Sequence, residues 1–204
     1  AANLNAQTAS LFCAATQAKL STDPALSLMS TVLHEAAHNL GPAHEYRVDG
    51  KTDGQVFGGP LASTLEELKA QTAGLYFADW LVERGLLDAA DAERTHIRDV
   101  IWAFGHIAQG MVTADGKPKP YSQLAAIQMG FFNANGVLPW KPDQKAANGT
   151  DVGCFDVDIV KWKPIHRAEY DATVAAVEKG RYTPKMRDVT FDLAEFKKDM
   201  DGYN

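Results

Sequence analysis

Leu33 to His38 reads Leu-His-Glu-Ala-Ala-His, and this stretch restricts the chain more tightly than any other. Histidines four residues apart lie one turn apart on the same face of a helix. Their imidazole nitrogens can then meet at one metal ion. Glu35, beside the first of them, is placed to hold a water activated by that ion and take its proton. A helix carrying two histidines and a glutamate by chance would read the same, so the surrounding residues must decide.

Those surroundings favour a metal helix. Ser21-Thr22-Asp23-Pro24 reads as a capped helix start, and Gly41-Pro42 as its stop. The two histidines therefore fall near the C-terminal end, at the mouth of a cleft. Residues 41–62 follow, rich in Gly, Pro and Asp, and are expected to form no regular element. Ser63-Thr64-Leu65-Glu66-Glu67 reads as a double capping box opening a long helix to about Arg84, stopped by Gly85. On that helix Glu67, Gln71, Gly74 and Ala78 share a stripe. The small residues at 74 and 78 would let a neighbouring helix come close.

A catalytic zinc takes three protein ligands and leaves one position open. Two candidates complete the set. His34-Glu35-x-x-His38-x-x-Gly41-x-x-His44 resembles the metzincin pattern, with His44 as third ligand. That family also needs a methionine turn, and Met111 and Met129 both fall at or within expected helices. Thr64-Leu65-Glu66-Glu67-Leu68-Lys69-Ala70-Gln71 instead resembles the glutamate motif of the dipeptidyl peptidase III family. Leu40-Gly41, Asp49-Gly50-Lys51 and Gly74-Leu75-Tyr76 look like its bacterial branch, and the likeness covers roughly residues 30–85. This second resemblance is the one preferred here.

Carried onto this chain, it implies a zinc peptidase with His34, His38 and Glu67 as ligands of one zinc ion and Glu35 as general base. Glu66 would accept a hydrogen bond from a ligand histidine and fix its tautomer. His106, in Phe104-Gly105-His106, would be the donor to the developing oxyanion. Two departures stand out. The family's six-residue HExxGH is here five residues long, and the acid that follows the glutamate pair is Gln71. The resemblance further implies an exopeptidase acting on short peptides with a free N-terminus. It implies a two-lobed protein of which residues 1–204 form the helical catalytic domain, the N-terminal remainder being its partner in the cleft. The reading from another class is a non-catalytic helical binding module. Against it, binding alone would not require Glu35.

The rest of the chain agrees with a mainly α domain containing little β. Helical patterns run over residues 3–19, from Asp88 or Asp91 to about Gln109, from Tyr121 to Asn135, from Pro164 to Gly180 and over 192–200. Residues 113–120 and 139–153 read as loops, and Phe155 to Ile159 alternates as a strand. His96, the rival to His106 as oxyanion donor, sits among Glu93, Arg94 and Arg98 and reads as part of a solvated face, while His166 attracts no role.

Of the 204 residues, 46% are hydrophobic and 23% charged, enough to bury a core. The net charge of -6 and the lack of a long basic run argue against nucleic acid. No apolar run approaches the roughly 20 residues that span a bilayer. Ala1 rather than methionine, with no signal-peptide pattern after it, is expected of a piece of a longer protein and leaves the compartment unread. Cys13 and Cys154 lie in no CxxC pair; an oxidising compartment would allow a disulfide between them, but two buried free thiols are the expectation preferred. Asn148-Gly149-Thr150 fits a glycosylation triplet and so an exposed loop.

Overall fold

The computed structural model describes residues 2–40, 47, 49–59 and 62–162. Within them run α1 (Ala2–Leu11), α2 (Ala14–Gln17), α3 (Pro24–His38), α4 (Asp53–Phe57), α5 (Ala62–Glu83), α6 (Ala89–Ile107) and α7 (Pro120–Ala134). A short antiparallel ribbon, β1 (Trp140–Lys145) and β2 (Val152–Phe155), follows. The fold is mainly α.

Helix α5 is the axis. From Ala70 to Asp79 all residues but Tyr76 are buried, which is what a helix enclosed by neighbours on every side requires. It packs against α3 on one flank and α6 and α7 on others. The approach of α3 is closest at Gly74. A Cβ there would lie 3.2 Å from the His34 nitrogen and 3.3 Å from its Cα. A side chain there would press on the α3 backbone and force it to give by a few tenths of an ångström. The expected close approach is therefore real, and it occurs at the first histidine of the motif.

The largest apolar cluster forms on the other side of α5. Leu75 belongs to it, with Ile97 and Val100 of α6, Ala125, Met129 and Phe132 of α7, and Phe12, Val137, Leu138 and Trp162. A smaller cluster of Ala37, Ala70, Ala73 and Phe77 fills the α3–α5 contact. Asp23 caps α3 by accepting from the Ala25 amide at 2.9 Å, with Pro24 at the first helical position.

Several expectations are corrected. Residues 53–57 form α4, capped by Thr52 and Gln55, inside the connection expected to be irregular. Helix α5 starts at Ala62, so Glu66 and Glu67 stand in its second turn. Thr64 is buried and donates to Gln123 at 2.8 Å rather than capping. The helix expected over 3–19 breaks at Phe12–Cys13, which pair with Phe155 and Ala146. The strand lies at 152–155, before the position expected, and its partner β1 occupies part of the expected loop 139–153. Cys13 and Cys154 form a disulfide, with Cα atoms 5.1 Å apart, instead of two free thiols. His96 is 2% exposed: it faces Asp79 at 3.3 Å and stacks on Trp162, so the solvated face was the wrong assignment. Asn148 is exposed, as expected of its loop. His44, His166 and the helices expected over 164–180 and 192–200 lie outside the described residues.

Candidate metal centre

The centre is built where α3 and α5 touch. His34 and His38 leave α3 on one face, and Glu67 reaches them from α5. His34 Nε2 lies 3.1 Å from His38 Nε2 and 3.3 Å from Glu67 Oε2, and His38 Nε2 lies 3.8 Å from the same oxygen. An ion with bonds of about 2.0–2.1 Å in a tetrahedral site holds its ligand atoms about 3.4 Å apart. The three separations scatter around that edge length.

Hydrogen bonds on the far side of each ring orient it. His38 Nδ1 donates to Glu66 Oε1 at 2.6 Å, and His34 Nδ1 meets Gln71 Oε1 at 2.9 Å. Glu66 is 3% exposed and Gln71 7%. Lys69 steadies Glu66 from 3.5 Å and donates to the carbonyls of His38 and Leu40 at 3.2 and 3.1 Å. A lysine at that position suits the negative end of α3.

With protons held on both Nδ1 atoms, two nitrogen lone pairs and a carboxylate oxygen face one another. Glu67 Oε2 is buried and has no hydrogen-bond partner among the described residues. Three converging acceptors with no donor between them form an arrangement that a cation satisfies. Two imidazoles and a carboxylate are a donor set used by catalytic zinc sites. The residues thus fit a divalent ion of the zinc type, and His34, His38 and Glu67 are the group that can hold it.

The electrostatics agree with this crowding of charge. Burial opposes protonation of His34, but the hydrogen bonds a protonated ring would make to Glu67 and Gln71, with the charges of Glu67 and Glu35, outweigh it and raise its pKa. Burial would raise the Glu67 carboxyl, yet His34 and Tyr121 hold it below its ordinary value. Burial, followed by the charge of Glu67 and a hydrogen bond to it, pushes the Tyr121 phenol to about 12.

An open cavity of about 260 Å³ adjoins the centre, lined among others by His34, Glu35, Asp99, Trp102, His106 and Tyr121. Glu35 is exposed and faces this space. His106 lies across it, packed on Trp102 with ring centroids 4.4 Å apart, and burial lowers its pKa. Tyr121 stands between them, 6.4 Å from the His34 ring and 5.5 Å from that of His106. All six residues singled out in the sequence thus surround one site. Tyr121, Trp102 and Asp99 were missed. Trp102 could have been found, because it shares the face of α6 with His106 at i, i+4. Tyr121 begins α7 and carries no local signal.

No family model matches this chain. It is 26% identical over 133 residues to Nudix hydrolase 3 of Arabidopsis thaliana, a stretch that is 64% of this chain and 15% of that protein. Its fold is similar to those of two solved dipeptidyl peptidase III structures. With the enzyme of Caldithrix abyssi the TM-score is 0.68 at 17% identity, over 92% of this chain and 33% of the other. With that of Corallococcus sp. strain EGB it is 0.64 at 22% identity, over 96% of this chain and 31% of the other. The chain therefore has a fold like part of dipeptidyl peptidase III and spans about a third of the length of those two chains.

Proposed function

We propose that this chain is the catalytic, zinc-holding domain of a peptide hydrolase of the dipeptidyl peptidase III type. The observation that carries the reading is the convergence of His34 Nε2, His38 Nε2 and Glu67 Oε2 at 3.1–3.8 Å, with both Nδ1 atoms engaged behind them. A zinc ion bound there would polarise a substrate carbonyl and acidify water, as it does in open three-ligand sites.

The chain's own residues supply the rest. Glu35 accepts a proton from the attacking water and passes it to the leaving amine. His106 donates to the carbonyl oxygen as negative charge develops on it. Glu66 and Gln71 hold the ligand rings. The cavity between Glu35 and His106 takes the scissile bond of a short peptide with a free N-terminus. The remainder of a longer, two-lobed protein closes the cleft from the opposite side.

Two substitutions test this reading in the full-length protein. His38→Ala should abolish stoichiometric zinc binding, and full zinc occupancy in that variant would overturn the centre. Glu35→Gln should keep the zinc and lose turnover of short peptides, because an amide cannot take the proton. Unchanged turnover would remove Glu35 as base. Wild-type protein that binds zinc but cleaves no peptide would favour a binding module over an enzyme.

A further inference from the structure

The two ligand histidines are backed by different chemistry. Behind His38 stands the Glu66 carboxylate at 2.6 Å, which can only accept a hydrogen bond. It locks the His38 proton on Nδ1 and leaves Nε2 free as a lone pair. Behind His34 stands the Gln71 amide at 2.9 Å. An amide presents an oxygen or, after a half-turn, an NH₂ at nearly the same position. It can therefore accept from the imidazole or donate to it.

Each orientation matches a different state of the centre. With its oxygen toward His34, Gln71 accepts the Nδ1 proton and the Nε2 lone pair faces His38 Nε2 and Glu67 Oε2. That state needs a cation. With its NH₂ toward His34, Gln71 donates to Nδ1 and the ring proton sits on Nε2. From there it points at Glu67 Oε2, 3.3 Å away, the buried oxygen that otherwise lacks a partner. The second state gives that buried oxygen a donor without an ion and leaves only the His38 Nε2 lone pair to share the same proton.

We propose that Gln71 is a positioning residue that lets His34 change tautomer, giving the centre a hydrogen-bonded metal-free state that competes with zinc. This rests on the metal-centre reading above. A carboxylate at position 71 would forbid the competing state, because it cannot donate. The charge count points the same way. Glu35, Glu66 and Glu67 with Lys69 leave two negative charges near a divalent ion, and a further carboxylate would add attraction for it. Groups hydrogen-bonded to the far side of ligand histidines typically change metal affinity 10–100-fold. Gln71 thus sets the centre to release its ion more readily than a carboxylate would.

The test uses this chain as wild type, Gln71→Glu and Gln71→Met. Zinc dissociation constants are measured by competition with a chromophoric chelator at one pH. The His34 tautomer of the metal-free protein is read from imidazole nitrogen-15 shifts. Gln71→Glu should bind zinc 10–100-fold tighter than wild type, and Gln71→Met, which keeps the volume but orients nothing, about tenfold weaker or worse. Metal-free wild type should carry the His34 proton on Nε2, and Gln71→Glu on Nδ1. Affinities of wild type and Gln71→Glu within twofold would overturn the proposal, as would an Nδ1 proton on His34 in the metal-free wild type. Should Gln71→Glu fail to fold by circular dichroism, the wild-type tautomer and the Met variant still decide. Wild type that binds no zinc at all would instead overturn the metal centre itself, a result distinct from zinc binding that is indifferent to residue 71.

Discussion

The α3–α5 contact and the N-terminal brace hold the same molecule together by opposite means. In the first, residues 28 to 37 apart in sequence bring four charged or ionisable groups and an amide into one seam. In the second, residues about 140 apart are tied by a disulfide, by Thr16 donating to Asp156 at 2.7 Å and by the Cys13 amide donating to the Phe155 carbonyl at 2.9 Å. The bonds that tie the brace are of ordinary length, although the buried Gln17 Oε1 has no hydrogen-bond partner among the described residues. In the seam two imidazole nitrogens and a buried carboxylate oxygen converge, and they need an ion or a relocated proton to be satisfied. One region is organised for stability and the other for chemistry, at some expense in stability.

The largest expected effect tests the brace. Replacing both Cys13 and Cys154 by serine opens a covalent loop with a sequence separation of 141. Loss of a native disulfide closing so long a loop costs about 2–5 kcal/mol. Urea unfolding should show a loss in this range, while zinc affinity of the folded protein stays within about twofold of wild type. A large fall in zinc affinity without a change in folded population would break the comparison, because the two regions would then be one unit.

Next in size is the seam's packing. Gly74→Ala places a methyl 3.2–3.4 Å from the backbone of Leu33 and His34. Helix propensity alone would gain about 1 kcal/mol, but overpacking between two backbones costs about 1–3 kcal/mol. The expected net loss is about 1 kcal/mol by urea unfolding, with weaker zinc binding because α3 is displaced relative to Glu67. A variant stabilised by the full propensity gain would mean that the close approach has room to spare.

What the sequence made legible follows the same division. The pairing of His34 with His38 was legible because helical periodicity puts residues four apart on one face, whereas Glu67, which the structure brings up to them, was reached only through the resemblance of its glutamate pair to a known motif. The stripe through Gly74 was legible because small residues at helical spacing have few other uses. The disulfide was not, since two cysteines 141 apart carry no local sign of their pairing. Neither was β1: Trp140 to Lys145 is exposed throughout and includes Pro142, so it lacks the alternation that marks a strand. His96 was misread because its neighbours in sequence are charged. Its burial comes from Asp79 and Trp162, on other parts of the chain.

The smallest effect concerns what the seam's surroundings cost. Asp99 of α6 lines the cavity and accepts from the Ser30 hydroxyl at 2.6 Å. Burial pushes its carboxyl from 3.8 up to about 6, against the opposing pull of Ser30, His96, His34 and Arg98. Between those two pH values the folded chain holds a proton that the unfolded chain has already released. Stability contributed by this group is therefore full below about pH 4 and lost as pH rises through about 6. At neutral pH the folded state carries the whole penalty. A shift of about two units corresponds to roughly 3 kcal/mol at most, and partial contact with solvent in the cavity reduces this to about 1 kcal/mol. Asp99→Asn keeps an acceptor for Ser30 and removes the charge. In zinc-free protein it should be more stable than wild type by about 1 kcal/mol at pH 7.5, and the difference should shrink toward zero near pH 4. Taking the difference between the two proteins cancels the titration of His34 and His96 to first order. Equal stability at both pH values would show that this wall of the cavity is no costlier than the brace, and the contrast would then be confined to the three converging side chains themselves.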